Sequence, residues 1–318
     1  MAVERFEEHR DLLTGVAYRI LGSVTDAEDV VQEAWLRWSG VDVSRVDDDR
    51  SYLVKVVTRL AIDRLRWVKA RREAYVGSWL PELVVTPDVA EHAELADSVE
   101  LALLVLLETL SPLERAVFVL REAFGMPYAE IGEMIERSEA ATRQLARRGR
   151  EHVQEGRPRF EVDRGVRRRL TERFAEAAVG GDLGALTALL AEDASLVSDG
   201  GGKAKAPLRV ITGARKVARF LTSIATGDRL RAFMESIGAG PVSGFGDEPV
   251  PGSGAGPVPG FGDGPVSGFG VEIAEVNGGP AVLVTAQGRP VTVFSLVVED
   301  GLITTVFLVA NPEKLAHL

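Results

Sequence analysis

The sequence of 318 residues contains no cysteine and only four histidines. Without cysteine there are no disulfide bonds, thiolate zinc sites or cysteine nucleophiles, and four histidines are too few for the usual imidazole metal clusters. We therefore predict neither a bound metal nor a cofactor.

Long apolar segments are also lacking. The longest, Leu101–Leu107, is far shorter than the ~20 residues that cross a bilayer, and the first residues carry no apolar core behind a basic leader. These absences argue against a membrane-spanning or exported protein, and we expect a cytoplasmic one. The composition, 46% hydrophobic and 26% charged, is that of a folded chain, and the length suits roughly two domains.

The charges are segregated along the chain, although the net charge is -10. Residues 50–72 contain eight basic residues and one acid, and residues 137–173 contain twelve basic residues and six acids. Residues 73–114 between them carry nine acids and no lysine or arginine. Two basic segments separated by an acidic one indicate two modules that each contact nucleic acid, or alternatively two solvated helix faces.

Residues 1–72 have the apolar spacing of helices. We predict one helix that stops at Gly22, a second that begins after Thr25-Asp26 with acids in its first turn, and a third over about 52–72. Trp35 and Trp38 lie inside the second helix, where core packing is the favoured interpretation.

A second helical segment is predicted over about 96–154, with a helix–turn–helix from Pro127 onward. Glu136-Arg137 forms the turn and Ser138 caps the following helix. In that helix Arg143 and Arg147 lie opposite an apolar stripe, as in a helix that presents basic side chains to a DNA major groove. An ordinary αα-hairpin with a solvated face is the alternative.

Beyond residue 164 helical patterns at 166–179, 183–191 and 213–226 precede four runs rich in Val, Ile, Thr and Phe. This order predicts an α+β domain with an antiparallel sheet. Residues 238–270 repeat GPVSGFGD almost verbatim, and so much glycine and proline predicts a disordered surface loop.

Taken together, these residues resemble the extracytoplasmic-function (ECF) sigma factors of bacterial RNA polymerase, in the SigJ-like group with a fused SnoaL-like domain. Segments 17–38 and 51–66 resemble sigma domain 2, and segment 110–150 resembles sigma domain 4. Three short motifs narrow the group: WLPEL at 79–83, DGGGK at 199–203 and NPEKL at 311–315. The family more often has proline at Leu83 and Asp at Glu313.

The resemblance implies a multidomain fold: all-α sigma domain 2 and all-α helix-turn-helix sigma domain 4, followed by an α+β SnoaL-like cone-shaped domain. The corresponding segments are 1–75, an acidic linker at 76–98, 99–160 and 161–318. The implied function is that of an alternative sigma factor, which binds core RNA polymerase, recognises -35 and -10 promoter elements and initiates transcription. The C-terminal domain would modulate that activity, and the chain would be no enzyme.

The resemblance also assigns residues to each partner. The core polymerase-binding residues are Asp26, Glu28, Asp29, Gln32 and Glu33. The -10 element would be bound by Arg59, Asp63, Arg64, Arg66 and Trp67, with the loop at about 44–51 as the pocket for an unstacked base. The -35 element would be bound by Ser138, Thr142, Arg143, Gln144, Arg147 and Arg148.

The three motifs would meet as regulatory contacts, through Trp79, Leu80, Pro81, Asp199, Gly200, Gly201, Gly202, Lys203, Asn311, Pro312 and Lys314. Lys203 would pair with Asp199 or Glu313. A tight turn and a salt bridge without any switching role are the alternative.

Two functions of other classes stay open. One is a stand-alone helix-turn-helix regulator that binds duplex DNA without polymerase. The other is an enzyme in the C-terminal domain, which would have to rely on Asp193, Asp199 or a buried glutamate, since no Tyr, Trp or Cys follows Tyr128. Nothing in the sequence supports a small-molecule ligand there.

Overall fold

A computed structural model describes residues 2–72, 74–85, 100–156, 163–224, 269–316 and 318. Most of the acidic linker and nearly all of the predicted glycine- and proline-rich loop at 238–270 lie outside these ranges. Across the described ranges, the structure contains no helix with the length and apolar character that a bilayer crossing requires.

The chain divides into two compact units, and both are discontinuous in sequence. The first comprises Met1–Ala74 and Pro81–Arg157, and the second comprises Tyr75–Leu80 and Pro158–Leu318. Five residues of the predicted linker, 76–80, and Tyr75 before it therefore belong to the C-terminal unit.

The described part of the first unit is helical. In chain order its α-helices are α1 (Ala2–Glu7), α2 (Arg10–Leu21), α3 (Val24–Ser39), α4 (Asp49–Arg72), α5 (Leu101–Leu107), α6 (Pro112–Phe118), α7 (Tyr128–Ile135) and α8 (Glu139–Gly156). A 3₁₀ turn (Val43–Arg45) precedes α4, and a π-helical turn (Val119–Ala123) follows α6.

Local capping explains where several helices begin and end. Gly22 ends α2 in the left-handed conformation at φ 69°, as predicted. Helix α3 begins at Val24, three residues before the predicted start, because the Ser23 hydroxyl accepts a hydrogen bond from the Asp26 amide. Ser111 and Glu114 form a reciprocal capping box at the start of α6.

The helix–turn–helix is confirmed. Helix α7 ends at Glu136, which has φ 57°, and the Ser138 hydroxyl accepts from the Ala141 amide at 3.3 Å at the start of α8. One apolar core runs through the unit. Trp38 is fully buried in it and Trp35 packs edge-on against Phe6 at 5.2 Å, so the core-packing interpretation of both tryptophans is confirmed.

The second unit packs helices against one six-stranded sheet. Its helices are α9 (Arg164–Val179), α10 (Leu183–Leu189), α11 (Ala214–Ile224) and the short α12 (Pro312–Leu315). Its strands are β1 (Leu190–Asp199), β2 (Ile211–Thr212), β3 (Phe269–Val276), β4 (Gly279–Ala286), β5 (Arg289–Glu299) and β6 (Leu302–Val309).

The strand order is β2-β1-β6-β5-β4-β3. Strands β3 to β6 form the expected antiparallel meander, but β1 pairs parallel with β6, with Leu196 opposite Val306. The antiparallel sheet predicted after the helices is therefore confirmed for β3 to β6. The sequence pattern missed β1, whose parallel pairing makes the whole sheet mixed. Strand β1 begins directly at the end of α10, where the sequence pattern predicted two more helical residues.

Candidate functional site

Helix α8 presents a basic face. Arg143, Gln144, Arg147 and Arg148 are exposed on it. Each arginine has a carboxylate partner: Arg143 pairs with Glu139, Arg147 with Glu151 at 2.7 Å, and Arg148 with Glu114 at 3.0 Å. Exposed ion pairs of this kind exchange readily for phosphate or base contacts, because they contribute little stability.

Thr142 was predicted to face DNA, and this prediction is wrong. The side chain is fully buried and its hydroxyl donates to the Ser138 carbonyl at 3.0 Å. A Cβ added at Gly132 of α7 would come within 3.1 Å of that hydroxyl, so Thr142 occupies the contact between the two helices. Ser138 remains exposed beside it.

The predicted -10 residues lie along α4. Arg66 pairs with Asp63 at 2.8 Å. Trp67 is 50% exposed, and the guanidinium groups of Arg64 and Arg71 lie over its ring, 5.1 and 4.4 Å from the centroid. An exposed indole between two cations has the chemistry for stacking an unpaired base.

Arg64 also joins the two predicted binding surfaces. Its guanidinium lies 2.6 Å from Asp26 and 3.2 Å from Asp29, both on α3. Two of the predicted polymerase-binding carboxylates thus already hold a predicted DNA-binding arginine.

The remainder of the predicted polymerase-binding surface is open. Glu28, Gln32 and Glu33 are exposed on α3, and Glu33 pairs with Arg37 of the next turn. Leu36, 64% exposed, lies one helical turn beyond Gln32 and Glu33. The sequence analysis missed this leucine, although an apolar residue three and four positions from exposed polar ones is a readable signal.

Arg59 contacts the helix–turn–helix. Its Nε donates to the Met134 carbonyl at 2.8 Å, and its guanidinium pairs with Glu136 at 2.9 Å, where α7 ends. A cation at a helix C-terminus is favourable because the helix dipole is negative there.

A cavity of about 550 Å³ lies at the loop that was predicted to receive an unstacked base. The lining residues are Val41, Asp42, Arg45, Val46, Asp47, Asp48, Ser51, Tyr52, Lys55, Glu130, Glu133 and Met134. Tyr52 and Lys55 offer a ring and a cation on one side, and two glutamates of α7 line the other.

Further polar contacts link the segments before and after the linker. Glu108 forms ion pairs with both Arg72 and the fully buried Arg115. Lys69 donates to the Glu108 carbonyl at 2.9 Å. Burial lowers the pKa of Lys69 and of Arg72, with nearby positive charge adding to the effect and Glu108 opposing it.

The second half of WLPEL is anchored in the first unit. Glu82 accepts hydrogen bonds from the Ser23 hydroxyl at 2.9 Å and from the Val24 amide at 2.7 Å, so its carboxylate caps α3. Its backbone carbonyl accepts from the Tyr18 hydroxyl at 2.8 Å. Pro81 and Leu83 are buried on either side.

The first half of WLPEL is held in the second unit by Asp199, which is fully buried. One carboxylate oxygen accepts from the Tyr75 hydroxyl at 2.6 Å and from the Gly201 amide at 3.0 Å. The other accepts from the Leu80 amide at 2.8 Å and from Lys314 Nζ at 2.6 Å. We name Tyr75, Leu80, Asp199, Asn311 and Lys314 the Asp199 cluster.

Lys314 completes the Asp199 cluster. Its Nζ also donates to the Leu80 carbonyl and lies 4.1 Å from the centroid of the Trp79 ring. Asn311 donates to the Tyr75 hydroxyl at 2.8 Å and caps α12 by accepting from the Glu313 amide. These donors replace the hydration that the buried carboxylate has lost.

The glycines of DGGGK let the backbone of this motif pack closely against neighbouring residues of the same unit. Gly201 has φ 60°, and a Cβ there would come within 2.5 Å of the Asn311 side-chain nitrogen. A Cβ at Gly200 would lie 2.7 Å from the Ala204 carbonyl, and one at Gly202 would lie 3.2 Å from Val76. Lys203 pairs with Glu313, one of the two predicted partners, on the surface of the unit.

Tyr75 was not predicted as a site residue. Burial raises the pKa of its phenol, and the hydrogen bond to Asp199 raises it further. Nothing in the sequence around Tyr75 marks it, because its partners lie 124 and 236 residues further along the chain.

Family comparisons agree with this geometry. The family model of Sigma-70 region 2 matches residues 5–72, and that of Sigma-70 region 4 matches residues 100–153. The ECF RNA polymerase sigma factor SigJ of Mycobacterium tuberculosis is 41% identical over 70% of this chain and 73% of its own length. The probable ECF sigma factor SigI of the same organism is 39% identical over 57% of this chain and 64% of its own length.

The crystal structure of M. tuberculosis SigJ superposes with a TM-score of 0.71 at 32% identity, over 99% of this chain and 98% of that one. The α+β C-terminal unit is included in this match, so the predicted fold class is confirmed. With region 2, region 4 and the relatives in agreement, the chain belongs to the extracytoplasmic-function sigma factors of RNA polymerase.

Proposed function

We propose that this chain brings core RNA polymerase to promoters with -35 and -10 elements, and that its C-terminal unit regulates initiation by holding the linker between regions 2 and 4. Its place of action is the cytoplasm, where polymerase and promoters meet. The observation that carries the regulatory part is the Asp199 cluster, which ties Leu80 of the linker and the preceding Tyr75 to both C-terminal motifs.

The DNA contacts follow from exposure and charge. Arg143, Gln144 and Arg147 on α8 are assigned to base edges of the -35 element, and Arg148 and Ser138 to its phosphates. On α4 we assign Trp67 and its flanking arginines to the single-stranded -10 element, together with the cavity beside Tyr52.

In this conformation α7 already contacts part of the surface that we assign to the -10 element. Arg59 is bound to the end of α7, and Glu130 and Glu133 of α7 line the cavity that would take a base. The -10 and -35 elements are separated by roughly 25 base pairs, about 85 Å of duplex at ~3.4 Å per step. Regions 2 and 4 must therefore separate before both elements can be bound.

Regulation is favoured over catalysis for the C-terminal unit. Among its described residues, the buried acidic and basic side chains are Asp199 and Lys314, and each binds the other and Leu80. General acid–base chemistry needs such a group to face an open cavity and a substrate. The carboxylate of Asp193, the alternative considered from the sequence, is on the surface.

Run-off transcription with core polymerase tests the regulatory role. Asp199→Asn keeps the shape of the side chain and leaves the Lys314 charge without its counter-charge, so the linker should loosen and the initiation rate should change at least severalfold. Asp193→Asn, on the same strand but exposed, is the matched control. An unchanged rate from Asp199→Asn, with a lowered melting temperature, would show that the cluster is structural only.

The same assay tests the sigma assignment. Duplex binding by the wild-type chain without initiation on a library of promoters would favour the stand-alone regulator. For the -35 contact, Arg143→Ala should cost ~1–3 kcal/mol on the promoter with little change in polymerase affinity. Equal loss on scrambled DNA would show that Arg143 contacts phosphate alone.

A further inference from the structure

One segment of the C-terminal unit is basic in an otherwise acidic chain. Between Gly200 and Ile224 there are six lysines and arginines and no acid, whereas the whole chain has a net charge of -10. Of these six basic residues, only Lys203 belongs to one of the three motifs.

Four of the exposed basic residues lie on α11 or shortly before β2, three on the helix and one before the strand. Arg215, Lys216 and Arg219 are exposed on α11, and the opposite side of that helix buries Val217 and Leu221 in the core of the unit. Arg209, in the loop before α11, is exposed between Leu208 and Val210, whose side chains are 60% and 48% exposed. We name Arg209, Arg215, Lys216 and Arg219 the α11 basic surface.

Within the part of the chain that the structure describes, none of these four side chains forms an ion pair. Helix α9 differs, because Arg164 and Arg168 both pair with Glu275 of β3. Glu192 is the acid that lines a cavity together with Arg215 and Lys216. Four cations without ion-pair partners among the described residues, in an acidic protein, are the electrostatic pattern of a surface for a polyanion.

We propose that the α11 basic surface binds the phosphate backbone of duplex DNA, as a contact additional to those of regions 2 and 4. Arg215 and Arg219 are separated by ~6 Å along the helix axis, close to two phosphate steps of ~3.4 Å along one strand. Arginine and lysine on a helix face suit phosphate contacts, which are independent of sequence.

Duplex DNA is the polyanion that the proposed function brings close to this surface. A chain held on a promoter by regions 2 and 4 keeps its C-terminal unit at high effective concentration near the same duplex, so even weak phosphate contacts add to affinity. The proposal therefore rests on promoter binding by this chain.

The test compares two double variants with the same residue types and the same spacing. Arg215→Gln with Arg219→Gln removes two charges from the α11 basic surface. Arg169→Gln with Arg173→Gln removes two exposed arginines from α9, also four residues apart and without ion pairs in the described structure. Fluorescence anisotropy of each full chain, with core polymerase and a labelled promoter duplex, gives the dissociation constant over a range of salt concentrations.

If both arginines contact phosphate, the α11 variant should lower the salt slope of log K by about 2 and weaken binding roughly 10- to 30-fold at ~0.15 M salt. The loss should be equal on promoter and scrambled duplexes, and the α9 variant should behave as the wild-type chain. Thermal unfolding of both variants checks that the unit still folds.

Three results would overturn the proposal. Unchanged DNA affinity and salt slope would show that no phosphate is bound. A loss of affinity for core polymerase with DNA binding intact would assign the surface to an acidic protein partner. Equal losses of DNA affinity in the α9 and α11 variants would show that the effect depends on net charge alone. Failure of the wild-type chain to bind promoters at all would instead count against the proposed function, and the full chain on plain duplex would still show whether the two variants differ.

Discussion

The two halves of WLPEL are held by different kinds of interaction. Leu80 lies in the second unit, where its amide and carbonyl bind a buried carboxylate and a buried ammonium. Glu82, two residues later, lies in the first unit and caps α3 from a partly exposed position. The first attachment depends on charges removed from water, whereas the second is a helix cap beside solvent.

The two attachments should differ in how much stability is lost when one partner is removed. A buried ion pair contributes little net stability. Loss of one partner, however, leaves an uncompensated buried charge and lowers the free energy of unfolding strongly. A cap contributes about 1 kcal/mol and its loss is correspondingly mild, because water can replace the carboxylate. We therefore expect substitutions in the Asp199 cluster to lower the free energy of unfolding strongly, and loss of the Glu82 cap on α3 to lower it only slightly.

The largest effect is expected from Lys314→Met, which strands the Asp199 carboxylate in the core. The second unit should lose about 3–5 kcal/mol of unfolding free energy. Lys203→Met removes the exposed partner of Glu313 and should cost less than about 1 kcal/mol. Denaturant unfolding followed by circular dichroism measures both, and similar costs for the two variants would contradict the contrast.

Gly201→Ala should come next, because it forces a side chain into the left-handed region and against Asn311. The backbone strain alone costs about 1–3 kcal/mol. Gly181→Ala has nearly the same φ, 65°, with no atom near its Cβ, so it measures the strain without the contact. Equal destabilisation by the two substitutions would show that the approach of Asn311 does not matter.

Glu82→Gln should cost only ~1 kcal/mol, since it weakens one helix cap. The loss should appear in the unfolding of the first unit, measured as above, with Glu28→Gln at an exposed position of α3 as the control. A loss as large as that of Lys314→Met would remove the distinction between the two halves of WLPEL.

The smallest effect concerns pH. Because the folded-state pKa of Tyr75 is raised above its ordinary value of 10.0, the unfolded chain ionises first as the pH rises. The stabilisation from this phenol is therefore complete below pH 10.0 and is lost above it. In an ultraviolet titration, the difference between the wild-type chain and Tyr75→Phe should show no phenolate at pH 10.0; a half-ionised Tyr75 there would disprove the shift.

The sequence predicts best where the signal is local. The stop at Gly22, the cap at Ser138 and the turn at Glu136 follow from residue types at fixed offsets. The burial of Thr142 was also readable, because Thr142, Leu145 and Gly149 recur at helical spacing on the buried side of α8.

Pairings between distant segments were not predictable in this way. The sequence offered Asp199 or Glu313 to Lys203, and only the fold shows that burial gives Asp199 to Lys314. The parallel pairing of β1 with β6 joins segments more than 100 residues apart, and the acids Glu192 and Asp193 hide the apolar alternation of β1.

The Asp199 cluster also sets an order of events during synthesis. Tyr75 and Asn311 are 236 residues apart, and at ~5–20 residues per second the ribosome needs roughly 10–50 s to travel between them. Regions 2 and 4 are complete before Asn311 and Lys314 exist, so every newly made molecule passes through a period in which its linker has no C-terminal partner. The distance along the chain between Tyr75 and Asn311 therefore sets how long the linker waits for its C-terminal partner.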